Sequence, residues 1–209
     1  MRRPGISSPA SPRPSSAKPA GSGILGGAYS STVTTVALAR QSRQDGGTAR
    51  GHAGAILAAT GMMYLRLWVL VAIFAPALAG RLTWIFWPLG LAALAVGALM
   101  TRGVAAEPPP DAAAERRRSN PIEMTSALGF AAVFLAMLVA TRLASERFGA
   151  AGVLAMAAVM GVADVDPFIL GVTQTPGLDL HTAALAILLA AAVNNVAKGV
   201  YAVLFGDRR

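Results

Sequence analysis

The sequence predicts an all-α protein: a polytopic transmembrane helix bundle of about five to six membrane segments, with an internal duplication marked by broken helices. Three observations carry this. The 209-residue chain is 55% hydrophobic and only 13% charged, where a soluble domain has roughly 25% charged residues. Four apolar runs, 52–78, 82–100, 121–139 and 182–205, have about the 20 residues needed to cross a bilayer. Two short polar interruptions, Gly27 to Thr32 and Gly161 to Asp166, lie within apolar stretches and align faintly with each other.

The same composition excludes several functions. A net charge of +8 would suggest nucleic acid in a soluble protein, but here the arginines cluster in the tail and loops and form no amphipathic face. With no cysteine there is neither a disulfide framework nor a thiolate metal site. No arrangement of nucleophile, base and orienting group appears, and no Gly-rich phosphate loop. The expectation is therefore a protein that is not an enzyme and needs no cofactor.

Taken in order, residues 1–22 are a Pro/Ser/Arg-rich tail that cannot bury enough surface to offset its ordering entropy, so disorder is expected. Its prolines also deny the uninterrupted apolar run of a signal peptide. The first membrane repeat, 23–101, is expected to hold helices at 23–39, 52–78 and 82–101. In the first of these, Gly26 and Gly27 precede Ser30, Ser31 and Thr32. Small residues and hydroxyls suit a tight helix seam or a hydroxyl-lined cavity at a helix break. The loop that follows carries Arg40, Arg43 and Arg50, which points to the cytoplasmic side.

Arg66 falls about 20 Å into the next helix and must snorkel or find a partner inside the bundle. Trp68, equally deep, reads as packing. Arg81 marks a short turn, Trp84 and Trp87 open the third helix at interfacial depth, and Pro88 kinks or restarts it. Residues 102–119, with Pro108 to Pro110 and Arg116 to Arg118, form a charged linker on the same side as the first loop.

The second repeat, 120–206, is expected to hold helices at 121–143, 149–163 and 180–206. Asn120 as N-cap, Pro121 at the first helical position and Glu123 facing the dipole open it. Glu146-Arg147-Phe148-Gly149 makes a charged turn, and the last helix carries Asn194, Asn195 and Lys198.

The candidate site comes from superposing the two interruptions. Ser30 then stands opposite Asp164, Thr32 opposite Asp166, and Arg66 opposite Lys198. A charge at the bilayer centre costs roughly 2.5–3.5 kcal/mol on insertion scales, so an intramembrane aspartate is a functional candidate. Asp164 and Asp166 would diverge on a helix but share a face in a broken segment, which Pro167 favours. The bland alternative is a pair of solvated or capping aspartates at a loop end. Lys198 requires a partner, and Asp164 or Asp166 is the obvious one. The expected polar site is therefore Ser30, Ser31, Thr32, Arg66, Asp164, Asp166, Asn194, Asn195 and Lys198. Two carboxylates with hydroxyls would suit a hard cation such as Mg²⁺ at Asp164 and Asp166. Arg66 and Lys198 argue equally for an anion or a proton-coupled solute.

Several polar positions also resemble a known family. Gly26-Gly27 with Ser30-Ser31-Thr32, Asn120-Pro121 with Glu123, Glu146-Arg147-Phe148-Gly149, Gly161 to Asp166 and Asn194 to Lys198 are similar to the C-terminal membrane domain of MgtC/SapB-type bacterial proteins. That domain is domain of unknown function forty-ten. The resemblance runs from about Gly23 to Gly206. It implies a multi-pass inner-membrane protein and no established reaction. It also implies an MgtC-like domain and one further helix ahead of the Ser-Ser-Thr segment, where this chain has only residues 1–22, so a truncated fragment is one expectation.

Two functions from different classes follow: a transport or ion-permeation module, or a non-transporting regulatory or structural membrane subunit. The expected partners are the lipid bilayer and either an MgtC-like membrane domain or further copies of the chain, with no nucleic acid.

Overall fold

The computed structural model describes residues 32, 34–40, 42, 49–102 and 122–206. Helical residues 34–40 form α1. They are followed by α2 (Ala49–Phe74), α3 (Pro76–Met100), α4 (Ile122–Ala163), α5 (Val165–Thr173) and α6 (Leu180–Phe205). No strand occurs among the described residues. The tail, the linker and the capping residues Asn120, Pro121 and Glu123 lie outside the described residues and side chains. Four helical segments, Arg50–Phe74, Pro76–Met100, Ala131–Ala163 and Leu180–Phe205, are long and apolar enough to cross a membrane. Large apolar side chains cover their outer faces, Trp84 and Val196 among them, as lipid-facing helices require. The chain is an all-α polytopic membrane protein.

In lipid, helices gain little from hiding apolar surface from one another, so close backbone packing decides which pairs form. The α2–α3 pair shows this. Gly54 faces Gly97 and Gly61 faces Gly90, so close that a Cβ at Gly61 would lie 2.7 Å from the Gly90 carbonyl oxygen. The same antiparallel register puts Trp68 opposite Thr83, whose Oγ1 accepts from Trp68 Nε1 at 2.9 Å. It closes at Ala75 and Pro76. Contacts thus recur every seven residues, the spacing of a left-handed pair of helices.

This register corrects three expectations. The turn falls at Ala75, not at Arg81, because Pro76 lacks the N–H a first helical residue would leave unpaired and brings a helical φ. The helices expected at 52–78 and 82–101 accordingly end at Phe74 and begin at Pro76. Pro88 lies inside α3 and neither stops nor restarts it. Trp84 and Trp87 are at the depth of Arg66, not at the end of the helix. Trp87 meets Trp68 edge to face, with ring centroids 5.4 Å apart.

The helix α4 has two arms, 122–148 and 150–163, joined at Gly149, where φ is 58° and ψ −143°. The turn expected at Glu146 to Gly149 is confined to its last residue, and Arg142 and Glu146, paired at 2.8 Å one helical turn apart, still belong to the first arm. Beyond Gly149 the chain does not cross. Gly171 of α5 rests on Met137 and Thr141 of the first arm, whereas a straight helix from Gly149 would carry Gly171 about 33 Å away. The second arm therefore rises roughly 20 Å, breaks at Asp164, and α5 turns back alongside the first arm. The helix expected at 149–163 is one limb of this hairpin.

The short helix α5 is buried on nearly every side, through Val165, Pro167, Phe168, Ile169, Leu170, Gly171 and Val172. A helix apolar all round belongs in an interior. It shares one core with Leu67, Val71, Leu78, Leu82 and Phe86 of the α2–α3 pair and with Ala186, Ile187 and Ala190 of α6. At its far end α6 returns to α1: Arg40 stacks on the Phe205 ring at 5.1 Å, and Ser42 lies beside Gly206.

Candidate functional site

The hairpin break meets α2 and α6 at mid-height. Arg66 lies about 7 Å and Lys198 about 8 Å from the midpoints of their helices at 1.5 Å per residue, and Asn194 and Asn195 are nearer still. Each polar side chain is placed by a local cause. Asp164 is in extended conformation (φ −143°, ψ 120°) and caps α5, its Oδ1 accepting from the Asp166 backbone N–H at 3.2 Å. Asp166 thereby enters the first turn of α5, and its Oδ2 accepts from Arg66 Nη2 at 2.5 Å. Both side chains of that ion pair are about three-quarters buried, at 28% and 22% exposure.

The α6 residues grip the hairpin and α2. Asn194, 2% exposed, donates from Nδ2 to the Gly161 carbonyl at 3.0 Å. That approach needs Gly161, because a Cβ there would lie 2.7 Å from the Ala190 carbonyl oxygen. Asn195 Nδ2 donates to the Tyr64 hydroxyl at 2.5 Å. Lys198, 3% exposed, donates from Nζ to Met63 Sδ at 2.8 Å. Three acceptor oxygens in the cluster are buried and take no hydrogen bond among the described residues: Asp166 Oδ1, Asn194 Oδ1 and Asn195 Oδ1.

Measured against the sequence, the structure brings together Arg66, Asp166, Asn194, Asn195 and Lys198 around the break that holds Asp164. The expected partner of Lys198 is corrected. Neither Asp164 nor Asp166 binds it, because the Arg66 fork reaches Asp166 first and Asp164 is occupied as a cap. Asp164 Oδ1 is engaged as the cap and Asp166 Oδ2 with Arg66, and no group of three metal-ligating side chains occurs among the described residues. Ser30 and Ser31 lie outside the described residues. Thr32 lines a shallow groove with Val36, Ala37 and Arg40, and no hydrogen bond among the described residues links it to either aspartate. Met63 and Tyr64 are site residues the sequence did not single out. Their signal was position: three and two residues before Arg66, on the helix whose cation had already been noted.

Among the described residues the arrangement gathers a carboxylate, a guanidinium, an amine and two amides inside an apolar bundle. The fold and this cluster define an α-helical membrane protein with a buried ionic site at a broken helix hairpin. More particularly, the chain belongs to the family described as Domain of unknown function (DUF4010), which matches residues 18–206. It is also similar to an "Uncharacterized protein" of Aquifex aeolicus (strain VF5), 27% identical over 93 residues, covering 43% of this chain and 40% of that one. The match thus spans about two fifths of the relative's length. No solved structure matches.

Proposed function

We propose that the protein is a transport or ion-permeation module of the inner membrane, with the α4–α5 hairpin tip as its working site. One observation carries this reading. Asp164 is exposed at the tip of a hairpin that reaches the middle of the bundle, and an aspartate at that depth is tolerated against water, not against hydrocarbon. Broken backbone at mid-membrane is likewise tolerated only where it is buried in protein or lines an aqueous cavity. A water-filled vestibule therefore reaches the tip from one side, and the Arg66–Asp166 pair, Asn194, Asn195 and Lys198 stand between it and the other side. Discontinuous helices around a midplane polar site are the pattern of secondary transporters.

The test is flux through purified protein in liposomes, screening protons, alkali and divalent cations, and small inorganic anions. Protein-dependent flux of one of these, abolished in Asp166→Asn with the variant still folded in the membrane, supports the reading. Absence of any flux from folded wild type, together with stable co-purification of a second membrane protein, overturns it in favour of a regulatory or structural subunit.

A further inference from the structure

Two groups in this site are incompletely partnered. Asp166 spends only Oδ2 on Arg66, while its Oδ1 is buried and takes no hydrogen bond among the described residues. Lys198 is 3% exposed and reaches only Met63 Sδ, a weak acceptor. Among the described residues no carboxylate lies within ion-pair distance of Lys198. The charged groups that act on it are Arg66 from α2 and Asp166 from α5. The second arm of α4 faces the cluster with the Gly161 carbonyl, already taken by Asn194, α2 adds the Tyr64 hydroxyl, and α6 itself adds Asn194 and Asn195.

An ammonium held in an apolar interior against a thioether, with the Arg66 guanidinium acting on it, is strongly disfavoured. A neutral amine in the same place costs far less, since its N–H still donates to sulfur. The ammonium becomes stable only beside a negative charge, and the unused oxygen of Asp166 is the one within electrostatic reach. We infer that Lys198 carries an exchangeable proton, and that protonation moves its Nζ from Met63 Sδ to Asp166 Oδ1, so that one carboxylate bridges two cations. The step forms one N–H bond on the amine lone pair and breaks one O–H bond of a hydronium ion arriving through the water at the tip, which leaves as water. It ties α6 to the hairpin tip in the protonated state and frees it in the neutral one. This makes the proton the coupling ion of the site, and it rests on the preceding reading that water reaches the tip.

The sequence allows a direct test, because it contains only two lysines, Lys18 and Lys198. Protein labelled with ¹⁵N-lysine and held in lipid nanodiscs gives two side-chain nitrogen resonances, and Lys198→Met assigns them. The expected result is that the buried Lys198 converts from ammonium to amine at a lower pH than Lys18 does. Asp166→Asn should make Lys198 at least tenfold easier to deprotonate, whereas Met63→Leu should change it little. A Lys198 that stays ammonium alongside Lys18, or one whose titration ignores Asp166→Asn, overturns the inference; the wild-type titration decides this even if a variant fails to fold. A pH-sensitive dye trapped in proteoliposomes separates this outcome from the transport reading. Titration of Lys198 without flux keeps the proton site and removes transport, and flux with a fixed ammonium does the reverse.

Discussion

Replacing Gly61 or Gly97 by alanine tests whether backbone contact holds the α2–α3 pair together. A Cβ at Gly61 would meet the Gly90 carbonyl at 2.7 Å and the Leu94 backbone nitrogen at 2.9 Å; at Gly97 it would meet the Gly54 carbonyl at 2.6 Å. Ordinary contact begins near 3.4 Å, so the helices must part by 0.5 to 0.8 Å. The opposing atoms are backbone and cannot rotate away. Overpacking of this kind costs about 1–3 kcal/mol, against a gain of up to about 1 kcal/mol from replacing a helical glycine by alanine. Gly80, Gly129 and Gly199 supply the control, because a Cβ there meets nothing within 4 Å. Denaturation in detergent, followed by circular dichroism, should rank Gly61→Ala and Gly97→Ala about 1–2 kcal/mol below wild type, and the three controls level with it or slightly above. The double variant should cost less than the two single losses combined, since one separation relieves both clashes. If the seam variants prove as stable as the controls, the register has been misjudged.

Four further outcomes are expected. Asp166→Asn should destabilise the fold by about 2–3 kcal/mol in the same unfolding assay, by removing the carboxylate that faces the largely buried Arg66 guanidinium. Gly149→Ala should cost about 1–3 kcal/mol although no atom obstructs the Cβ, because φ 58° with ψ −143° is open almost only to glycine; Gly149→Asn should not rescue it. Thr182 Oγ1 and the Thr182 backbone N–H, with that of His181, hold the exposed Asp179 carboxyl below the usual carboxylate range. A carboxyl whose folded value is depressed contributes above its unfolded value and loses that contribution as pH falls through the folded one. The protection of the His181 and Thr182 amides relative to their intrinsic exchange rates should therefore fall on acidification through the carboxylate range, and Asp179→Asn should make that protection independent of pH. Reporter fusions after Gly206 and within 103–119 should both score as cytoplasmic: four crossings and one returning hairpin put these positions on the side of Arg40, Arg43 and Arg50.

Much of this was legible in the residues, and the reasons for the rest are physical. Hydropathy located α2, α3 and α6 because lipid imposes length and apolarity directly. Arg66, Asp166, Asn194, Asn195 and Lys198 could be named because polar groups at such depth need partners. Which partner each takes was not legible: Asp164 and Asp166 look equivalent in sequence, and only the position of the break makes one a cap and the other half of an ion pair. The returning hairpin was hidden because 150–163 and 165–173 are as apolar as a crossing helix, and only Gly149 and the contact of Gly171 with Met137 reveal the reversal. The seven-residue spacing of Gly54 with Gly61 and of Gly90 with Gly97 was present in the sequence, but glycines are frequent in membrane helices and a single pair carries little weight until its counterpart is known.

That seam also fixes the height at which α2 presents its polar side chains to the hairpin. Helices touching backbone to backbone at two levels have no long side chains to swap between rotamers, so they cannot creep past each other in small steps. The wall bearing Met63, Tyr64 and Arg66 is thereby held still. The opposite wall is set by the same device, since Gly161 of the hairpin lies against the Ala190 carbonyl of α6 and Asn194 donates to the Gly161 carbonyl.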